Sequence, residues 1–292
     1  TYGHAEGRQS TASGYISHAE GSETNATNDY THAEGYRTTA SGFASHSEGH
    51  NANATAEGSH AEGIGTKAEG PRAHAEGSST VASGTASHAE GIDTDATGEY
   101  AHSEGQSTIS SGIASHAEGA STHAMNNYSH AEGYNTVAAG SRAHAEGNNT
   151  VASGDFSHAS GNGTVAGYNS QTVIGRYNES ADAAFIIGNG SSESDRSNAA
   201  IVDWDGNAYF ASSIYANNLY SNGAKLPSKT EVINEITTRI SGLASETYVD
   251  ERINNVSTYV DETVNSVAST LYITAGNLPG NGLGTCATVE GA

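Results

Sequence analysis

The chain is poor in what a conventional core is made from. Its 292 residues include one Trp, one Met and four Phe, and apolar residues make up 35%. Ordinary domains reach about 45–50% apolar when Gly is counted, and about 25% charged; here the charged fraction is 15%. A large Leu/Ile/Phe core, and with it a conventional enzyme-sized globule, is excluded. Disorder is not the alternative, since disordered chains are rich in charge and Pro and this chain has three Pro. No apolar run approaches the roughly 18 residues of a membrane-spanning helix. The single Cys286 cannot form an internal disulfide. Lys and Arg are scarce and the net charge is −22. That argues against nucleic acid or anionic lipid as partners, because both need basic side chains to meet phosphate. The chain has neither an initiating Met nor a signal peptide and opens within a motif, Thr1-Tyr2-Gly3-His4-Ala5-Glu6-Gly7. It reads as a segment of a longer protein.

What the chain has is a repeat. His4, His18, His32, His46, His60, His74, His88, His102, His116, His130, His144 and His158 are spaced by 14 without an insertion. Only His50 and His123 lie off this ladder. Two residues after each ladder His stands Glu6, Glu20, Glu34, Glu48, Glu62, Glu76, Glu90, Glu104, Glu118, Glu132 or Glu146, with Ser160 in the last unit. Gly follows at the next position throughout, from Gly7 to Gly161. Ala and Gly also recur at the half-period, as at Ala12 and Gly14 or Ala82 and Gly84. The unit is Ala-x-Gly-x-x-Ser-His-Ala-Glu-Gly-x-x-Thr-x.

Strand side chains alternate between faces. In Ser-His-Ala-Glu, Ser and Ala therefore share an inward face and His and Glu the outward one; in the other half, Thr and Ala point inward. Two short strands per turn, with Gly at the corners where positive φ is needed, give a thin parallel β-roll. Twelve or thirteen coils at about 4.8 Å each span about 60 Å. A helix is excluded, because Gly twice per unit costs about 1 kcal/mol each time and no Leu stripe is available to bury.

The pattern Ala-x-Gly-x-x-Ser-x-Ala-x-Gly-x-x-Thr resembles the head repeat of YadA-like trimeric adhesins. Its Ser-His-Ala-Glu-Gly version resembles phage tail-fibre and tail-appendage proteins. The resemblance covers about 1–175. It implies a left-handed parallel β-roll with three chains about a threefold axis, in which the positions held here by His and Glu line the seam between chains. In that family those positions are usually apolar, so the His–Glu ladder departs from the pattern.

Beyond the repeat, the expected fold class is mainly β with an α-helical stalk. Residues 1–175 form the β-roll head, with Thr172-Val173-Ile174-Gly175 as a thirteenth coil. Residues 176–228 form a small β collar, with strands at Phe185–Asn189 and Ala200–Phe210 and Asn-Gly and Asp-Gly turn signals. Residues 229–271 form a coiled coil. Its apolar row is Ile233, Ile236, Ile240 and Leu243, followed by an 11-residue repeat of Val249, Ile253 and Val256 onto Val260, Val264 and Val267, closing at Leu271. An 11-residue period implies a slightly right-handed bundle, consistent with a trimer. Residues 272–292 are read as a linker and the start of a second roll, because Leu283-Gly284-Thr285-Cys286-Ala287 resembles Ile64-Gly65-Thr66-Lys67-Ala68.

The ladder is read as a structural seam, with neither metal nor cofactor, because metal sites need a closed ligand set and do not usually recur in every layer of a scaffold. It should make the roll acid-sensitive, either through charging of buried neutral His or through protonation of the Glu that pair with them. Catalysis needs unlike residues in one special place, and no unit stands out. Asp93, Asp95 and Glu99, and likewise Asp203 and Asp205, read as turn residues. The Thr row of Thr94, Thr108, Thr122 and Thr136 faces inward, which sets aside binding to a flat surface. Recognition should sit where units differ, at the aromatics Tyr15, Tyr30, Phe43, Tyr100, Tyr128 and Phe156; Tyr beside Asp or Asn suits glycan or protein contact. The function expected is that of a non-enzymatic homotrimeric fibre module of a phage tail, attaching to a host-surface glycan or protein or spacing such an attachment. The same resemblance allows a bacterial surface adhesin. Neither reading inserts this segment in a membrane.

Overall fold

The computed structural model describes residues 2–213, 220–221, 224–225, 227, 229–240 and 252–263. Two compact units divide at Ser197. The first is a parallel β-solenoid of 14-residue coils. Each coil contributes one five-residue strand, such as His88–Ile92, and one two-residue strand, such as Asp95–Ala96. The short strands form a twelve-stranded sheet from Thr11–Ala12 to Val165–Ala166. The long strands stack in chain order, each in register with the one 14 residues on: His74 lies beside His88, Glu76 beside Glu90, Gly77 beside Gly91.

The core is made of small groups. Ala19, Ala89 and Ala145 in the long strands, and Ala26, Ala96 and Ala152 in the short ones, are fully buried, as are Thr24, Thr94 and Thr150. His and Glu lie on the outer side of the same strands. Such a core buries little apolar surface per residue, so continuity of backbone hydrogen bonding carries much of the order. That bonding runs round the corners as well: His88 N–H donates to Ala101 O at 2.9 Å, and Asp93 N–H donates back to Ser78 O at 2.9 Å. Where the inner lining varies, it varies in compensating pairs. Ser103, in an Ala position, bonds the Thr108 hydroxyl at 2.9 Å, and Ser47 donates to the carbonyl of Ala52, which stands in a Thr position. In most coils the Thr hydroxyl is buried without a partner, as at Thr94 and Thr136.

The Gly after the Glu position recurs in every unit, whereas the half-period Gly gives way to Asn28, Ala56, Asn126 and Tyr168, and the two serve different ends. Gly91 has φ +112°, and a Cβ there would come within 2.1 Å of the Gly105 carbonyl oxygen. Gly84 has no positive φ; a Cβ there would meet the Gly98 oxygen at 1.8 Å. The residues that turn the corners in left-handed conformation recur every seven positions and are mostly not Gly: Ile16, Tyr30, Ala86, Asp93 and Tyr100 among them. Each such residue costs on the order of 1–2 kcal/mol, which the inter-coil bonding offsets.

Thr172–Arg176 continues the long-strand sheet, and Phe185–Asn189, expected in the collar, is its next parallel strand, 13 residues on rather than 14. The lining grows here, with Val173 and Ile186 fully buried. Two buried amides close this end. Gln171 Nε2 donates to the carbonyls of Ala181 and Ala183. Asn178 accepts from Val165 N–H and donates to Val165 O, in place of a further short strand. Solenoid ends need such capping.

In the second unit, Asn198–Val202 pairs antiparallel with Ala208–Phe210. Asp203 gathers the turn between them, accepting from the N–H groups of Asp205 and Asn207 and from the Tyr209 hydroxyl. Tyr220–Ser221 and Ala224–Lys225 form a second small antiparallel pair. Lys229–Ile240 and residues 252–263 are helical. Ile233 and Ile236 of the first helix share a cleft of about 100 Å³ with Ile253, Val256 and Val260 of the second. These apolar rows, expected to face other chains in a stalk, face each other within one chain. Leu243, Val249, Val264, Val267, Leu271 and the expected second roll at 272–292 lie outside the described residues.

Gly91→Ala is expected to destabilise the roll by about 3 kcal/mol or more through backbone strain and overlap. Thr94→Val, which removes a buried hydroxyl without a partner, should be neutral or stabilising by up to ~1 kcal/mol. Thermal melts of both variants check this; a Thr94→Val loss larger than that gain would show the hydroxyl to be satisfied.

Candidate functional site: a stacked histidine and glutamate face

In-register pairing turns the sequence ladder into two columns. The imidazole rings of His18 through His158 stack at 4.7–4.9 Å between centroids, with planes within 9° of parallel. At the first coil His4 and His18 are 5.1 Å apart and tilted by 29°. The Glu column runs beside the rings. His60 Nε2 lies 3.6 Å from Glu62 of its own coil. His88 Nε2 lies 3.7 Å from Glu90 of its own coil and 3.6 Å from Glu76 of the coil before. Glu104 reaches both ways, with one oxygen toward His102 and the other toward His116, each at 3.9 Å. None of these contacts is aligned as a hydrogen bond: the Nε2 atoms of ten ladder His, from His32 to His158, are occluded and without a hydrogen-bond partner.

The electrostatics follow from like stacked on like. Burial first, and the neighbouring rings second, hold His74, His116 and His144 below the ordinary imidazole range, against the pull of nearby Glu. The carboxyls share protons along their column. Hydrogen bonding to Glu118, with burial and the neighbouring carboxylates, pushes Glu104 and Glu132 up to about 7, while Glu118 between them is lowered by accepting those bonds. Neutral rings and half-protonated carboxyls are the way a stack of titratable groups avoids stacking charge.

Beside the carboxyls, the Gly column leaves an open trough of about 810 Å³, lined by Glu90 to Glu146 and Gly105 to Gly161.

The aromatic positions are all exposed, between 43% at Tyr15 and 58% at Tyr100. Tyr15, Tyr30 and Phe43 form an edge-to-face row at 5.5–5.9 Å, extended by Tyr2 at 5.7 Å from Tyr15. Tyr128 and Phe156 flank the Arg142 guanidinium at 5.2 Å each. Tyr100 hydrogen-bonds Glu99, which raises its phenol. The Asp and Asn beside these rings, read from sequence as recognition partners, are engaged in the scaffold. Asp29, Asn127 and Asp155 each accept from the backbone N–H 14 residues earlier, of Tyr15, Ile113 and Ser141. Spacing alone could have found this role, since Asp or Asn recurs at one position of the unit. Arg142 had no signal in the repeat.

Stability should fall with acid. A His held below its ordinary pKa in the folded state is protonated first in the unfolded chain, so stability present above about pH 6.5 is lost as pH drops through that value. Glu104 and Glu132, raised to about 7, act in the opposite sense: their stabilisation is present in acid and lost as pH rises through about 7. The lowered His, at His32, His46, His74, His102, His116, His130 and His144, stand in one stacked column, where each ring that charges also repels the rings on either side, and the lowered Glu90, Glu118 and Glu146 add a further loss in acid. The melting temperature is therefore expected to decline from about pH 6.5 downward; a value unchanged between about pH 8 and pH 4.5 would refute it.

No protein-family model matches the chain, and no curated protein matches it.

Proposed function

We propose that the chain is a structural attachment module of a homotrimeric fibre of the kind carried on phage tails, which makes or spaces contacts with a host-cell surface. The observation that carries this reading is the His–Glu face. One chain leaves ten imidazole nitrogens occluded and unpartnered along a single sheet, and buried polar atoms are ordinarily satisfied. A second and third copy laid along that face would cover the rings and carboxyls, which stay about a third exposed in one chain, and the trough between carboxyls and Gly would receive a neighbour's side chains. The repeat makes the face self-complementary along its whole length.

The remaining features support the same role. Catalysis has no distinguished coil in which to sit. The acidic surface and scarce cations disfavour phosphate-rich partners. The exposed aromatic corners, repeated along the roll and multiplied by three chains, suit many weak contacts to a glycan or protein, with affinity gained through multivalency.

Light scattering at neutral pH tests the assembly. The expected native mass is about three times the chain mass of 29.7 kDa. A folded monomer would leave the His–Glu face in solvent and overturn the fibre reading.

A further inference from the structure

We propose that the ladder is a row of sites for zinc-class divalent ions, each built from side chains of one chain. Five groups of three bring one ligand atom per residue within 4.8 Å of one another: His60–Glu62–His74, His88–Glu90–His102, Glu104–His116–Glu118, Glu118–His130–Glu132 and Glu132–His144–Glu146. Imidazole and carboxylate are the donor set that zinc and its neighbours take, whereas magnesium and calcium prefer oxygen alone.

The distances select how an ion would sit. Tetrahedral bonds of about 2.0–2.1 Å place ligand atoms roughly 3.4 Å apart. The His–Glu separations of 3.6 Å at His60–Glu62 and 3.6–3.7 Å at His88 are close to that edge. Stacked rings 4.7–4.9 Å apart are not, so two ring nitrogens would tilt toward one ion by about an ångström. Each of these His nitrogens is occluded without a hydrogen-bond partner and has a carboxylate beside it, which distinguishes the sites from a patch of surface acids. Three protein ligands leave a fourth position for water or for a side chain of another copy.

The groups compete where they share a ligand. Glu118–His130–Glu132 draws on both of its neighbours, so filling it empties them. The other four share nothing and can fill together. Two of these four, His88–Glu90–His102 and Glu104–His116–Glu118, meet at the coil that carries both His102 and Glu104, so their ions are the nearest pair and repel most. About four ions per chain is the resulting capacity.

The test is equilibrium dialysis of the chelator-treated full chain against zinc chloride at about pH 7.5, with magnesium chloride as a control. Expected are about four zinc ions per chain, no retained magnesium, a raised melting temperature with zinc, and release at about pH 5 as the rings protonate. The double variant Glu90→Gln/Glu118→Gln removes a ligand from three of the five groups, leaves His60–Glu62–His74 and Glu132–His144–Glu146 whole, and keeps the side-chain shape. It should bind about two, with an unchanged circular-dichroism spectrum in chelator. Absence of retained zinc, or a count unmoved by the double variant, overturns the proposal; the latter would assign the zinc to His50, His123 or bare rings. All ligands belong to one chain, so the count per chain is independent of assembly, and native mass measured on the same sample separates failure of this inference from failure of the trimer.

Discussion

Parallel pairing in register, at the strand spacing of about 4.8 Å, places every residue of this roll on the residue 14 positions away, and the repeat makes that residue its own kind. Ala on Ala and Gly on Gly gain from it, because small groups let successive backbones bond without interruption. Charge on charge does not. The His and Glu columns are what a charged motif becomes under that constraint: the rings stack flat, burial and crowding hold His74, His116 and His144 among them below the ordinary imidazole range, and the carboxyls share protons instead of all ionising. A pattern that looks like salt bridges in sequence is, in the fold, two columns of like groups at 3.4–3.9 Å from each other's edges. Its character is set by burial and crowding more than by ion pairing, and exposed pairs of this kind contribute little in any case.

The same constraint governs the backbone. Because the hydrogen-bond ladder continues round each corner, the corner residue must adopt a left-handed conformation whatever its side chain is, and Ile16 does so as well as Tyr30 or Asp93. The side chains there project outward and are released from packing. Variation therefore gathers at the corners while the inner lining hardly changes. The lining can end only where other groups take over its hydrogen bonds, which Gln171 and Asn178 do with amide side chains.

Much of this was legible in the sequence. The 14-residue spacing of His, the small residues at alternating positions and Thr172-Val173-Ile174-Gly175 in phase fix the coil, the faces and one coil beyond the ladder, because strand alternation leaves Ala19 and Thr94 no other side to occupy. The corners were not legible. Gly marks where a Cβ would strike a neighbouring carbonyl, as at Gly84, and the left-handed residues that make the turn carry no common side chain. Phe185–Asn189 was legible as a strand but not as part of the roll, because a coil one residue short breaks the phase that pattern reading depends on. At the candidate site the columns were visible but not their proton sharing, which arises from neighbours 14 residues away. The scaffold bonds of Asp29 and Asp155 were not visible from adjacent positions, because their partners lie 14 residues away.

The coil-to-coil bonds lie along the direction in which the roll extends, and this sets how the roll answers tension applied at its two ends. Such a pull passes through all the coils in series, and a terminal coil, bonded to a neighbour on one side only, gives way first. Coils then peel away one after another. Each releases 14 residues, worth about 3.3–3.6 Å apiece when extended, in exchange for a rise of about 4.8 Å. Each surrendered coil thus spans roughly ten times its folded rise, and the rod dissipates the work in small, equal steps, each reversible while the next coil remains as a template.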